Sequence, residues 1–144
     1  MNKKIESFLY NGERLSAIFK ETLEVFPGVH CDVYIHPETQ KRDLAIIMLD
    51  PGKKTLPQKV LMGEETIEGY ISGSGKLIIR HVDGTQSVFD VGPGSEGFSH
   101  PVGIGEIMQW KADKHEELVF FEICLPPYED GRYENLTKSP DLDA

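Results

Sequence analysis

The chain has 144 residues, of which 39% are hydrophobic and 27% charged. That balance suits one globular domain with a single core and excludes a chain disordered throughout. Its net charge of −9 disfavours nonspecific binding to nucleic acid or to an anionic membrane surface.

The opening Met1–Ser7 is polar and no apolar leader core follows it. The longest apolar run, Leu44–Leu49, is too short to cross a bilayer. The expected location is therefore the cytosol. Cys31 and Cys124 each stand in an apolar, strand-like segment without a CxxC partner. They are expected to be buried free thiols rather than a disulfide or a zinc site.

The first segment, residues 1–28, reads as an N-terminal arm. Within it Glu13–Phe26 fits two patterns. Leu15, Ile18, Phe19 and Leu23 match a helical face, whereas Leu15, Ala17, Phe19, Leu23 and Val25 match strand alternation. Pro27-Gly28 ends the segment in either case.

From there the punctuation is that of an all-β protein. Val29–Ile35 alternates, and Leu44–Leu49 is a continuous apolar strand stopped by Asp50-Pro51-Gly52. Lys59–Met62 is short. Thr66–Ser72 and Lys76–Val82 are expected to pair across Gly73-Ser74-Gly75. Asp83-Gly84 predicts a tight hairpin into Gln86–Val91, because a type I′ turn needs positive φ at both central residues. Ser95–Val102 reads as a loop. Gly103–Trp110 and Glu117–Leu125 close the series, and Pro126-Pro127 ends the last strand. Strands at intervals of about 8–12 residues with turn signals between them mark a sandwich or barrel. The polar, acidic end of the chain is expected to wrap the outside or fray.

The order of these parts resembles the cupin superfamily. Asp50-Pro51-Gly52, then Glu64-Glu65-Thr66 leading into Tyr70-Ile71-Ser72-Gly73-Ser74-Gly75, is similar to its first motif. Gly92-Pro93-Gly94 and Glu106–Trp110 are similar to its second, and Phe121-Glu122-Ile123-Cys124-Leu125-Pro126-Pro127 to a typical last strand. The resemblance implies an all-β, double-stranded β-helix barrel of the jelly-roll type over 29–133, followed by a polar tail over 134–144. It also implies a homodimer, paired through a sheet edge or an exchanged N-terminal strand.

Metal-binding members of that family carry His-x-His and Glu in the first motif and a further His in the second. Here those positions fall on Gln58, Val60, Glu65 or Thr66, and Met108. Valine has no donor and a thioether is a soft, weak ligand, whereas a first-row metal needs three or four converging imidazole or carboxylate groups. No metal and no other cofactor is expected.

The candidate groups follow from alternation. If Thr66 points inward, Glu68, Tyr70 and Ser72 share its face; if it points outward, they meet solvent. Gln58, Glu65, Glu68, Tyr70, Met108 and Trp110 are the candidate ligand-binding residues, and the expected partner is a small sugar-like or carboxylate molecule. A second reading is a metal-free sugar isomerase or epimerase with His100 as base and Tyr70 as acid, both facing one cavity. A third is a structural or regulatory protein whose pocket is packed shut by Met62, Met108 and Trp110.

Overall fold

The computed structural model describes residues 6–10, 13–35, 42–125, 131–138 and 140–142. These residues carry the strands β1 (Glu6–Tyr10), β2 (Glu13–Phe26), β3 (Val29–Ile35), β4 (Asp43–Leu49), β5 (Gln58–Val60), β6 (Glu65–Gly73), β7 (Gly75–Arg80), β8 (Gln86–Val91), β9 (Ser99–Val102), β10 (Ile107–Ala112), β11 (Leu118–Leu125) and β12 (Tyr133–Asn135). They form two antiparallel sheets. The larger runs β1-β2-β3-β4-β11-β6-β9 and the smaller β12-β5-β10-β7-β8.

The ambiguous segment 13–26 is a strand. β2 pairs with β3, with register breaks after Phe19 and after Glu24. Two residues beside a break share one partner position, which blurs strict alternation and lets a helical pattern coexist with it in the sequence.

The continuous apolar run in β4 has a structural reason. Its alternate residues serve two cores on opposite faces of the larger sheet. Ile47 and Leu49 point between the sheets, where they meet Leu77, Ile79, Met108, Trp110, Leu118 and Phe120. Leu44 and Ile46 point the other way and pack with Tyr34, Ile67, Phe121 and Ile123. A strand buried on both faces has no polar side to show.

The structure corrects three sequence expectations. First, β6 and β7 do not pair. They lie in different sheets, and Ser74 alone links them. Gly73 has φ of 88°, and a Cβ there would sit 1.9 Å from the Glu117 carbonyl oxygen. The glycine permits a corner between layers rather than a hairpin tip. Second, the latter half of Ser95–Val102 is strand β9, pairing with β6 at the sheet edge. Pro101 is tolerated because an edge strand can leave one side of its ladder unmade.

Third, the β7–β8 connection is wider than a two-residue turn. His81 N–H donates to Thr85 O at 2.8 Å and Gly84 N–H to His81 O at 2.9 Å. Gly84, at φ of 89°, takes the left-handed place after an i→i+3 turn.

The chain end is tied down. β12 pairs with β5, and Leu142 is buried. Gln109 receives the Leu142 N–H at 2.8 Å and donates to Thr55 O at 2.8 Å and Asp141 Oδ1 at 3.0 Å. Lys111 Nζ adds a bond to Leu142 O at 2.6 Å.

Candidate functional site

Between the sheets lies a cavity of about 500 Å³. Its wall includes Gln58 from β5, Glu68 from β6, Met108 and Trp110 from β10, Phe120, Glu122 and Cys124 from β11, and Tyr133 from β12. That volume is in the range of small-ligand sites. Cross-strand register assembles its polar centre. Glu68 on β6 stands opposite Glu122 on β11 and opposite His100 on β9. Directly opposed residues share a face with Cβ atoms about 4.5–5.5 Å apart.

Each carboxyl has one oxygen fixed by a neighbour. Trp110 Nε1 donates to Glu68 Oε1 at 2.8 Å. The Trp110 ring is itself locked by stacking on Phe120, with centroids 4.2 Å apart and planes 13° apart. The Tyr133 hydroxyl donates to Glu122 Oε1 at 2.8 Å and lies 2.9 Å from Cys124 Sγ. Glu68 Oε2 is buried and no donor bonds it.

The electrostatics follow from burial with few counter-charges. Glu68 is 1% exposed. Burial first, then the charge of the facing Glu122 and a side-chain hydrogen bond to it, holds its pKa well above the usual carboxylate range, against the Trp110 hydrogen bond. Cys31 is pushed up to about 12 by burial and then by Glu122. Burial and Glu122 also raise Cys124 and Tyr133. Glu122 thus contributes to the raised values of Glu68, Cys31, Cys124 and Tyr133.

The candidate residues divide. Gln58, Glu68, Met108 and Trp110 line the cavity. Gln58 Nε2 is committed to Asn135 Oδ1 at 2.8 Å. Glu65 is exposed, and its carbonyl accepts from Arg132 Nη2 at 2.6 Å. Tyr70 is buried beside the cavity wall, but its hydroxyl donates to Gly73 O at 2.8 Å. His100 Nδ1 lies 2.7 Å from Pro101 O, and its ring packs on Phe89 at 4.8 Å. Neither Tyr70 nor His100 is among the cavity-lining residues.

Sequence reasoning missed Glu122, Cys124 and Tyr133. The first two carried a signal, since they share parity with the inward Leu118 and Phe120 along β11. Tyr133 carried none, because β12 reaches the site only through a non-local pairing.

A second polar cluster lies at the end of the β7–β8 hairpin. His81 Nε2 is 2.7 Å from Ser87 Oγ, and His81 Nδ1 contacts Glu106 Oε2. Glu106 Oε1 also accepts the Gly103 N–H at 2.7 Å. Burial raises Glu106, but the Gly103 and His81 hydrogen bonds and the charges of His81 and His100 outweigh it and leave its pKa lowered. The cluster ties the hairpin end to the turn before β10.

No protein-family model matches the chain, and no curated protein matches it in sequence. Solved structures do match in shape. A formate complex of oxalate decarboxylase from Lactobacillus farciminis superposes with a TM-score of 0.67 at 18% identity, covering 83% of this chain and 36% of that one. The capsular polysaccharide assembling protein CapF from Staphylococcus aureus gives 0.66 at 14% identity, over 81% and 33%. The 7S globulin of Momordica charantia gives 0.62 at 12% identity, over 85% and 36%. The chain thus matches about a third of each of these longer proteins. At such identities the likeness shows the fold, which is a cupin-type jelly roll.

The metal centre expected of metal-binding cupins does not fit these residues. Val60 and Met108 are apolar members of the inner core. The Thr66 hydroxyl accepts from Arg132 Nη2 at 3.1 Å, and Gln58 is held by Asn135. Among the described residues no group of three or more His, Cys, Asp or Glu side chains is arranged to grip a metal ion.

Proposed function

We propose that this barrel binds a small polar molecule in the cavity between its sheets, using its own side chains rather than a metal. One observation carries the reading: Glu68 Oε2 is buried at the cavity wall with no donor to satisfy it. Buried polar groups are normally hydrogen-bonded, and the exceptions call for a functional explanation. Trp110 orients the carboxyl, and Met108 and Phe120 supply apolar contact.

The lining favours some ligands over others. Glu21, Asp43, Glu68 and Glu122 all contribute to it, against Lys20. A carboxylate ligand would meet like charge, so a donor-rich neutral or cationic molecule suits the cavity better. The isomerase reading draws no support from the geometry, because His100 and Tyr70 bond elsewhere. Nor does a vestigial pocket, since Met108 and Trp110 leave the space open and Met62 is 38% exposed.

The chain's single tryptophan reports on the site. Its indole N–H resonance is expected to shift on titration with a polar small molecule that enters the cavity. A Cys31→Trp variant, which fills the same space, should abolish that response at the Trp110 resonance. If no polyol, amine or carboxylate moves the indole signal, the binding reading falls.

A further inference from the structure

The two facing carboxyls pose a problem that the fold itself does not solve. Glu68 and Glu122 stand directly opposite one another on neighbouring strands and face one cavity. Among the described residues neither has a lysine, arginine or histidine as ion-pair partner. The donors present are neutral: the Trp110 indole for Glu68, and the Tyr133 hydroxyl and Cys124 thiol for Glu122. Glu68 is buried and Glu122 half-buried. A buried anion without a counter-cation is costly, and a second carboxylate facing it raises that cost.

A proton held by the pair relieves that cost. The groups around it give little help in neutralising charge. Asp43 from β4 lines the same space. Lys20 and Glu21 of the lining are both exposed on β2. Cys31 from β3 adds a neutral thiol. The buried Arg132 acts on Cys124, but its Nη2 donates to Glu65 O, Thr66 Oγ1 and Leu125 O. His100 stands opposite Glu68 in register, but its Nδ1 is occupied by the Pro101 carbonyl.

From this arrangement we infer that the ligand is a small organic cation, a protonated amine, whose N–H groups bridge Glu68 Oε2 and the Glu122 carboxylate. The inference rests on the cavity being a ligand site and names the class of ligand it takes. The ammonium takes the place of the shared proton: it donates to Glu68 Oε2 and brings a full positive charge to the pair. The Trp110–Phe120 stack gives the carbon skeleton an aromatic face and adds a cation–π attraction.

Proton release follows. Before binding, burial and the Glu122 charge favour the protonated form of Glu68. The incoming cation reverses that balance. The Glu68 O–H bond breaks, its proton passes to buffer, and the resulting carboxylate pairs with the ammonium. Binding therefore releases the proton that Glu68 holds beforehand, and affinity rises with pH as Glu68 ionises, until the ligand amine itself loses its proton.

Matched scaffolds test this. The probes are glucosamine, glucose and glucuronate, and benzylamine, benzyl alcohol and benzoate, each titrated while the Trp110 indole N–H resonance is followed. Within at least one scaffold the amine should bind about tenfold or more tighter than its neutral analogue, with the acid weakest. Calorimetry in buffers of different ionisation enthalpy should show proton release with wild type and none with Glu68→Gln. If Glu68→Gln does not fold, Glu122→Gln should also lose the amine preference. Neutral members binding as well as the amines would overturn the cation inference and leave the binding site standing. Indole silence towards all six at about 10 mM would overturn both.

Discussion

Trp110 Nε1 donating to Glu68 Oε1 at 2.8 Å divides the labour within one carboxyl group. The oxygen that accepts from the indole is satisfied. The other, buried and without a donor, is the one open to a proton or a ligand. The pKa of Glu68 is raised, so the sign of its pH effect is fixed. Its contribution to stability is full below the ordinary glutamate value of about 4.3 and is lost as pH rises towards its folded-state value. Urea unfolding of wild type should therefore show stability falling as pH rises above that ordinary value. Glu68→Gln keeps an acceptor for Trp110 but cannot ionise. It should flatten that fall and be the more stable protein at pH 8 by about 1–2 kcal/mol. A wild-type curve parallel to that of the variant would show that Glu68 is ionised in the folded state.

At the scale of elements, β6 and β11 do two jobs with opposite faces. Their inward residues build the polar pair, and their outward residues build the second core. Gly69 is the joint between them. It faces outward beneath Phe121, and an added Cβ would lie 2.0 Å from the ring. Phe121 is fully buried, so it has no free space into which to swing. Gly69→Ala is therefore expected to cost about 1–3 kcal/mol in urea unfolding by overpacking. Its effect on the cavity should be small by comparison, because the clash lies on the other side of the sheet. An unchanged unfolding midpoint would mean that the Phe121 ring does not rest on this strand. The site was partly legible at this scale. Parity along β6 and β10 pointed to Glu68, Met108 and Trp110 once one inward residue was chosen, and the same parity along β11 would have added Glu122. The Ser74 corner was not legible, because a Gly-x-Gly sequence serves a hairpin tip and a layer switch equally well. What separates them is the Glu117 backbone packed against Gly73.

For the whole molecule, the edges matter. β1 and β9 end the larger sheet, and β12 and β8 end the smaller. Exposed strand edges invite pairing. On β2, Ile18 and Leu23 are 37% and 45% exposed, an apolar surface next to the β1 edge. Light scattering on the purified chain is expected to give twice the 16.2 kDa chain mass. Ile18→Lys together with Leu23→Lys should shift it towards the monomer. A monomeric wild-type mass would remove the family-based expectation of pairing.

The sequence by itself determined where most strands and breaks fall and the loss of imidazole donors at Val60 and Met108. Those are local properties, set by side-chain period, glycine and proline geometry, and the chemistry of single residues. From them came the jelly-roll class and the argument against a family-type metal centre. Tertiary structure alone decided which groups meet. The Glu68–Glu122 opposition depends on β6 pairing with β11, about fifty residues away in the chain, and Tyr133 joins them only because β12 docks on β5. His100 and Tyr70 show the converse. Each has the right chemistry for a proton carrier, but backbone carbonyls nearby take up both side chains. Which polar groups share a cavity is a property of strand pairing, and strand pairing is fixed by the whole core at once.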